Sequence, residues 1–130
     1  MADTKTRYKI PNGVKNEARQ GRDLRTMHGY GGGKVTKAIN YRLRVQKDVG
    51  YWTAVKIDTY YRRHEDVDPK GEHFDNRKRP SKGYIMWKMM GGNSGHSWSK
   101  RLKRSLDVIQ KREKLNKINK TLEEIHGMVR

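Results

Sequence analysis

Apolar positions recur at spacings of three and four through most of this chain, a rhythm that draws helices rather than strands. The first run places Val14, Ala18, Gly21, Leu24 and Met27 on one narrow face, with Asn12 as a candidate cap and Lys15, Arg19, Arg22 and Arg25 on the opposite face. The glycines of residues 29–33 stop that helix. Residues 35–47 fit either a helix through Val35, Ala38, Ile39, Leu43 and Gln46 or a strand alternating Tyr41, Leu43 and Val45, and the helix is preferred. Asp48-Val49-Gly50 breaks the run, and residues 51–64 restore helical spacing. Ala54, Ile57, Tyr61 and His64 form the main face there, widened by Tyr51, Val55 and Trp52.

The polar segment 65–80 is too long for an ordinary turn, which makes it functional or partly mobile. Ser81 then caps a short helix that ends at Gly91, and Ile85, Met86, Trp87, Met89 and Met90 make it apolar almost all round. Asn93-Ser94-Gly95 reads as a turn into a last helix from about Trp98 to His126. Along that helix Val108, Leu115, Leu122 and Val129 recur at seven, with Ile118 and Ile125 at the intervening position and Lys111 interrupting the seam. Leu102, Leu106 and Ile109 are placed to dock its first turns. The expected organisation is a flexible basic arm (1–13), a helical core domain (14–98) and a basic C-terminal helix (99–130). In fold class this is a mainly α protein of three to four short helices with one long helix appended.

Composition makes that core small. Hydrophobic residues are 32% and charged residues 35% of 130, so part of the chain is expected to order only against a partner. The sign of the charge suggests which partner. Thirty-one Lys and Arg against 14 Asp and Glu leave +17, a self-repulsion that a polyanion relieves. Nucleic acid, DNA first, is the leading candidate, bound by Lys15, Arg19, Arg22 and Arg25 of the first helix and by Lys100, Arg101, Lys103, Arg104, Lys111, Arg112 and Lys114 of the last. A membrane surface is not expected, because the apolar stripe of the last helix is too thin. No apolar run approaches a membrane span, and the N-terminus lacks a signal-peptide core, which points to the host cytoplasm or a virion. Cysteine is absent, so disulfides and thiolate metal sites are excluded.

The pattern YYRRHEDVDPKGEHF followed by PSKGYIMWKMMGGNSGHSW resembles a small domain of tailed-bacteriophage proteins, in which an aromatic-RHE-x-D segment precedes PS-x-G-x-x-x-W-x-x-x-GG-x-x-G-x-x-W. The resemblance covers about residues 11–102. Ser81, Gly83, Trp87, Gly91, Gly92, Gly95 and Trp98 match one for one, and His64, Glu65 and Asp68 carry the polar signature. It departs from that pattern by the inserted Asp66, by methionines in place of Ala-Leu-Trp and by the appended basic helix. It implies a phage origin and implies no biochemical activity.

Two readings compete for the polar signature. His64, Glu65, Asp66, Asp68, His73, Asp75 and His96 have the chemistry of a metal site, and a metal-dependent nuclease built on His64, Glu65 and Asp68 would want a basic surround. Against that, no His-x-x-x-His or Glu-x-x-His pair puts two ligands on one helical face. Ion pairing with neighbouring arginines is the preferred reading, so no metal, cofactor or catalytic residue is assigned. Trp87 and Trp98 are expected in the core, and Trp52 is the exposed aromatic suited to a base. Gly33-Lys34 is similar to the end of a phosphate-binding loop, but Val35 follows, so a flexible connector is expected. The glycines at 91, 92 and 95 either offer amides to a phosphate or let two helices meet, and the second is preferred. The functional expectation is non-specific phosphate contact by a virion- or genome-associated protein. Its rival is a virion component docking on capsid or portal subunits. A homodimer through the last helix is a further expectation.

Overall fold

A computed structural model describes residues 3–129, with the side chain of Val129 outside the described set. The fold is mainly α. In chain order it runs β1 (Arg7–Lys9), α1 (Asn12–His28), α2 (Lys34–Val45), β2 (Asp48–Gly50), α3 (Tyr51–His64), a single 3-10 turn (Asp68–Lys70), α4 (Lys82–Met89) and α5 (Gly92–Val129). α1 packs on α2, α4 and α5, and α5 packs on α3 as well.

The N-terminal segment is not a loose arm. Residues 7–9 pair antiparallel with β2 in the register Arg7↔Gly50, Tyr8↔Val49, Lys9↔Asp48. Tyr8 and Ile10 are buried, and the Tyr8 hydroxyl hydrogen-bonds the Ser105 hydroxyl of α5 at 2.9 Å. Two inward side chains and an inter-strand ladder thus fix a segment whose composition alone reads as polar. Asn12 is the first residue of α1 rather than its cap, and Pro11 precedes it in extended conformation. Val14, Ala18, Gly21 and Leu24 are buried as their spacing requires, whereas Met27 is exposed where α1 runs past its neighbours.

Residues 34–45 are helical, but the buried face is Thr36, Ile39, Asn40 and Leu43, and Val35 and Ala38 face outward. The reason is polar. Asn40 Nδ2 donates to Ala18 O at 3.0 Å and to Met89 O at 2.9 Å, tying α2 to α1 and α4 through two bonds that an aliphatic side chain could not make.

α4 carries the centre of the core. Trp87 is 1% exposed and meets Tyr61 edge-on at 4.7 Å, Phe74 at 5.9 Å and His96 at 5.1 Å between ring centroids. Such tilted and edge-on pairs suit the ring quadrupoles. The Ser81 hydroxyl accepts from Tyr84 N at 3.0 Å and caps α4 as expected. The anticipated turn at residues 93–95 is instead the first turn of α5, which begins at Gly92, so the 98/99 boundary falls inside a continuous helix. α5 is 38 residues, about 57 Å at 1.5 Å per residue, and only its first half is held: Trp98, Leu106 and Ile109 are buried, and no residue from Gln110 to Met128 is. Among the described residues no helix is long and apolar enough to cross a membrane.

Candidate functional site

The polar signature folds into two side-by-side pairs at the C-terminal end of α3. His64 Nδ1 lies 3.0 Å from Asp68 Oδ2 across one helical turn, and its ring stacks on Tyr60 at 4.6 Å. His96 Nε2 donates to Glu65 Oε2 at 2.6 Å, and its ring stacks on Tyr61 at 5.1 Å. The His96 hydrogen bond, with help from Lys100 and Lys103, holds the Glu65 carboxyl below its usual range despite the opposing effect of burial. Each imidazole is therefore matched to one carboxylate rather than converging with the other on a shared point. Among the described residues no three His, Asp or Glu side chains are grouped to hold a metal ion. His73 and Asp75 lie on the following loop, both with positive φ, and His73 approaches Glu72 at 3.6 Å.

The matched glycines serve close approach. A Cβ on Gly83 would lie 3.1 to 3.3 Å from the Asp68 carboxylate, so that position lets the 3-10 turn settle on the start of α4. Gly91 and Gly92 have φ of +119° and +63°, which reverses the chain between α4 and α5 within two residues. A Cβ on Gly95 would collide with the Tyr61 hydroxyl at 2.6 Å, and that hydroxyl donates to Gly92 O at 2.8 Å. Trp87 Nε1 donates to Asn93 Oδ1 at 2.9 Å.

The amides at the start of α5 already have an anion. Glu17, one of two acids on the mostly basic α1, accepts from Ser94 N at 2.7 Å, from Asn93 N at 3.2 Å and from Lys88 Nζ at 3.2 Å. Burial pushes its carboxyl up, but the Ser94 hydrogen bonds and the Lys88 ammonium outweigh it and the net shift is downward. A carboxylate of the chain thus stands where a phosphate would have sat at Gly91 and Gly92. Sequence reading missed Glu17; its signal is a lone acid on the cationic first turns of α1.

The expected phosphate contacts divide in two. Lys15 Nζ donates to Leu43 O and Gln46 O at the end of α2, and Arg25 Nε donates to Gly31 O of the following connector at 2.8 Å; both half-buried side chains are thus engaged by backbone carbonyls of the fold. Burial, then Arg19, lowers the Lys15 ammonium pKa. Arg19 and Arg22 are exposed and share a shallow pocket with Arg44, which sequence reading passed over; burial, then Arg22, lowers the Arg44 pKa. On α5, Lys100, Arg101, Lys103, Arg104, Lys111 and Lys114 are exposed and Arg112 is half-buried. The heptad seam is exposed too: Leu115, Ile118, Leu122 and Ile125 keep 47–60% of their surface. Trp87 and Trp98 are buried, and Trp52 is 65% exposed.

Compared with family models, with curated proteins and with solved structures, the chain matches none.

Proposed function

We propose that this is a phage-encoded, virion- or genome-associated protein that binds nucleic acid, DNA first, through Arg and Lys contacts to phosphate without reading base sequence. The observation that supports it is the outer half of α5. From Gln110 to Met128 the helix touches little of its own fold, and there Lys111, Arg112, Lys114, Lys117 and Lys120 outnumber Glu113, Glu123 and Glu124, an exposed cationic surplus that an anion laid alongside would answer. Arg19, Arg22 and Arg44, with Asp23 among them, supply a second, net cationic patch. The test is binding to duplexes of unrelated sequence across a salt series. Affinity is expected to fall by orders of magnitude between low and physiological salt, and charge reversal at Lys103, Arg104, Lys111 and Arg112 is expected to weaken every sequence alike. Sequence-selective binding that ignores salt would remove this reading.

The exposed seam favours a second role, docking onto capsid or portal subunits or onto a copy of itself. Leu115, Ile118, Leu122 and Ile125 form an unpartnered stripe, and a coiled coil would cover it. Lys111 sits in that stripe, so like charges meet in a self-pair and added salt is expected to strengthen it, opposite to its effect on nucleic acid. Sedimentation of the full chain across the salt series checks this. Leu122→Asp, at an exposed position, is expected to abolish any dimer without unfolding the chain. A chain that stays monomeric at high concentration and high salt would rule out self-pairing.

A further inference from the structure

Residues of α2 and α3 line a groove that neither reading uses. Its volume is about 270 Å³; buried Ile39, Tyr60 and Met90 line it with half-buried Val55, exposed Val35 stands at its mouth, and Lys56, Arg63 and His64 line it too. No acidic side chain lines it. His64 is paired with Asp68, but among the described residues Lys56 and Arg63 form no ion pair. At the foot of the same helical stripe, one turn before Lys56, stands Trp52, 65% exposed. Exposing a tryptophan and a valine beside an apolar trough costs solvation that a protein surface ordinarily avoids, so a partner with flat apolar faces and anionic links fits this stretch.

We propose that this groove seats unpaired bases of single-stranded nucleic acid, with the flanking phosphates on Lys56 and Arg63 and a neighbouring base stacked on Trp52; the proposal rests on the nucleic-acid reading above and adds a site to it. The volume decides the size of the occupant. It falls just under the roughly 300–1,000 Å³ of ordinary ligand pockets, so it holds one ring system and excludes a whole dinucleotide cofactor. Topology decides the strandedness. A duplex keeps its bases stacked inside and presents only phosphate to a convex helical surface, whereas an unpaired strand can lay a base into a trough between two helices. Stacking and apolar contact tolerate any base, so the site adds affinity for single strands without adding sequence preference.

The decisive comparison is between a short oligothymidylate and an abasic oligomer of the same length and charge, with binding to the full chain followed by fluorescence anisotropy. Phosphate contact alone binds the two equally, whereas the groove predicts about tenfold weaker binding of the abasic strand. Val35→Glu places a carboxylate at the groove mouth on the second residue of α2, where a negative charge favours the helix, so loss of folding is not expected. That variant is expected to shrink the difference between the two strands to the part contributed by stacking on Trp52, while changing duplex affinity no more than about twofold. Lys117→Glu on the outer half of α5 should weaken both strands in proportion and keep the difference. Equal binding of the two strands by the unaltered chain, or a difference that survives Val35→Glu undiminished, overturns the groove and leaves phosphate binding standing. Failure of the chain to bind any oligomer at low salt overturns the nucleic-acid reading itself. Amide shifts along α2 and α3 produced by oleate or hexaglutamate and not by oligothymidylate would assign the groove to another occupant and also overturn the proposal.

Discussion

Replacing Gly21 by alanine is expected to destabilise the fold by about 3 kcal/mol, and replacing it by valine by about twice that, enough to unfold a domain of ordinary stability. Gly21 lies mid-helix in α1, where alanine would normally gain about 1 kcal/mol from helix propensity. The crossing with α4 reverses that sign. A Cβ there would collide with the backbone nitrogen of Met89 and lie 2.6 Å from Lys88 C and 2.7 Å from Met89 Cα. Backbone cannot rotate away as a side chain can, so the two helices must part and give up the packing of Leu24, Ile85 and Met89. Gly127→Ala is the matched control. It lies on the outer part of α5 with nothing within reach of a new Cβ, and it should be neutral or stabilising. Urea unfolding followed by circular dichroism separates the two; a Gly21→Ala chain as stable as the parent would mean that α1 and α4 do not meet this closely.

The sequence makes the helices readable where apolar spacing is the cause of burial, and unreadable where a polar group is. α1, α3, α4 and the inner half of α5 bury most of the side chains that their periodicity selects, Met27 and Trp52 excepted, because each rests one apolar face on a neighbour. α2 fails that rule on Asn40, whose two hydrogen bonds to Ala18 O and Met89 O turn the helix toward Thr36 and away from Val35. β1 and β2 are three residues each, too short for any periodicity, and Val49 finds Tyr8 only across 41 residues of chain. The start of α5 shows Asn-Ser-Gly, a turn composition, and becomes helical because Glu17 from a distant helix accepts its first amides.

The charge excess is visible in any count of residues, yet its geography is not. Lys15 and Arg25 look identical to Arg19 and Arg22 along the face of α1, and only the structure shows that the first pair ends on backbone carbonyls. The polar signature behaves similarly. Residue types suited to a metal are present, but the tertiary fold hands His64 to Asp68 and His96 to Glu65, and a one-dimensional pattern carries no information on that pairing. The seam of α5 is the converse case: its period is fully legible, yet its Leu115, Ile118, Leu122 and Ile125 stay exposed.

Glu17→Ala is expected to cost about 3 kcal/mol, because one carboxylate serves three donors at the junction of α1, α4 and α5. Its removal leaves two amides of the first turn of α5 without an acceptor, and it leaves the Lys88 ammonium, in a residue only 9% exposed, without its counter-charge. Glu17→Gln keeps the shape and one acceptor but loses the charge, so roughly half of that loss is expected. The pH dependence gives a check that truncation alone cannot. The folded-state pKa of Glu17 lies below its ordinary value of 4.5, so its contribution is fully present above that value and disappears as pH falls through the depressed one. The stability gap between parent and Glu17→Gln should therefore be widest near neutrality and close in acid. Asp58 works the other way: burial raises its carboxyl pKa against the pull of Arg62, so its ionisation costs stability as pH rises, and acid relieves that cost equally in both proteins. Because Asp58 is common to parent and variant it cancels in the difference. A gap that stays constant from neutral pH to well below 4.5 would show that Glu17 is not ionised against Lys88 and the amides of α5, and the junction would need another explanation.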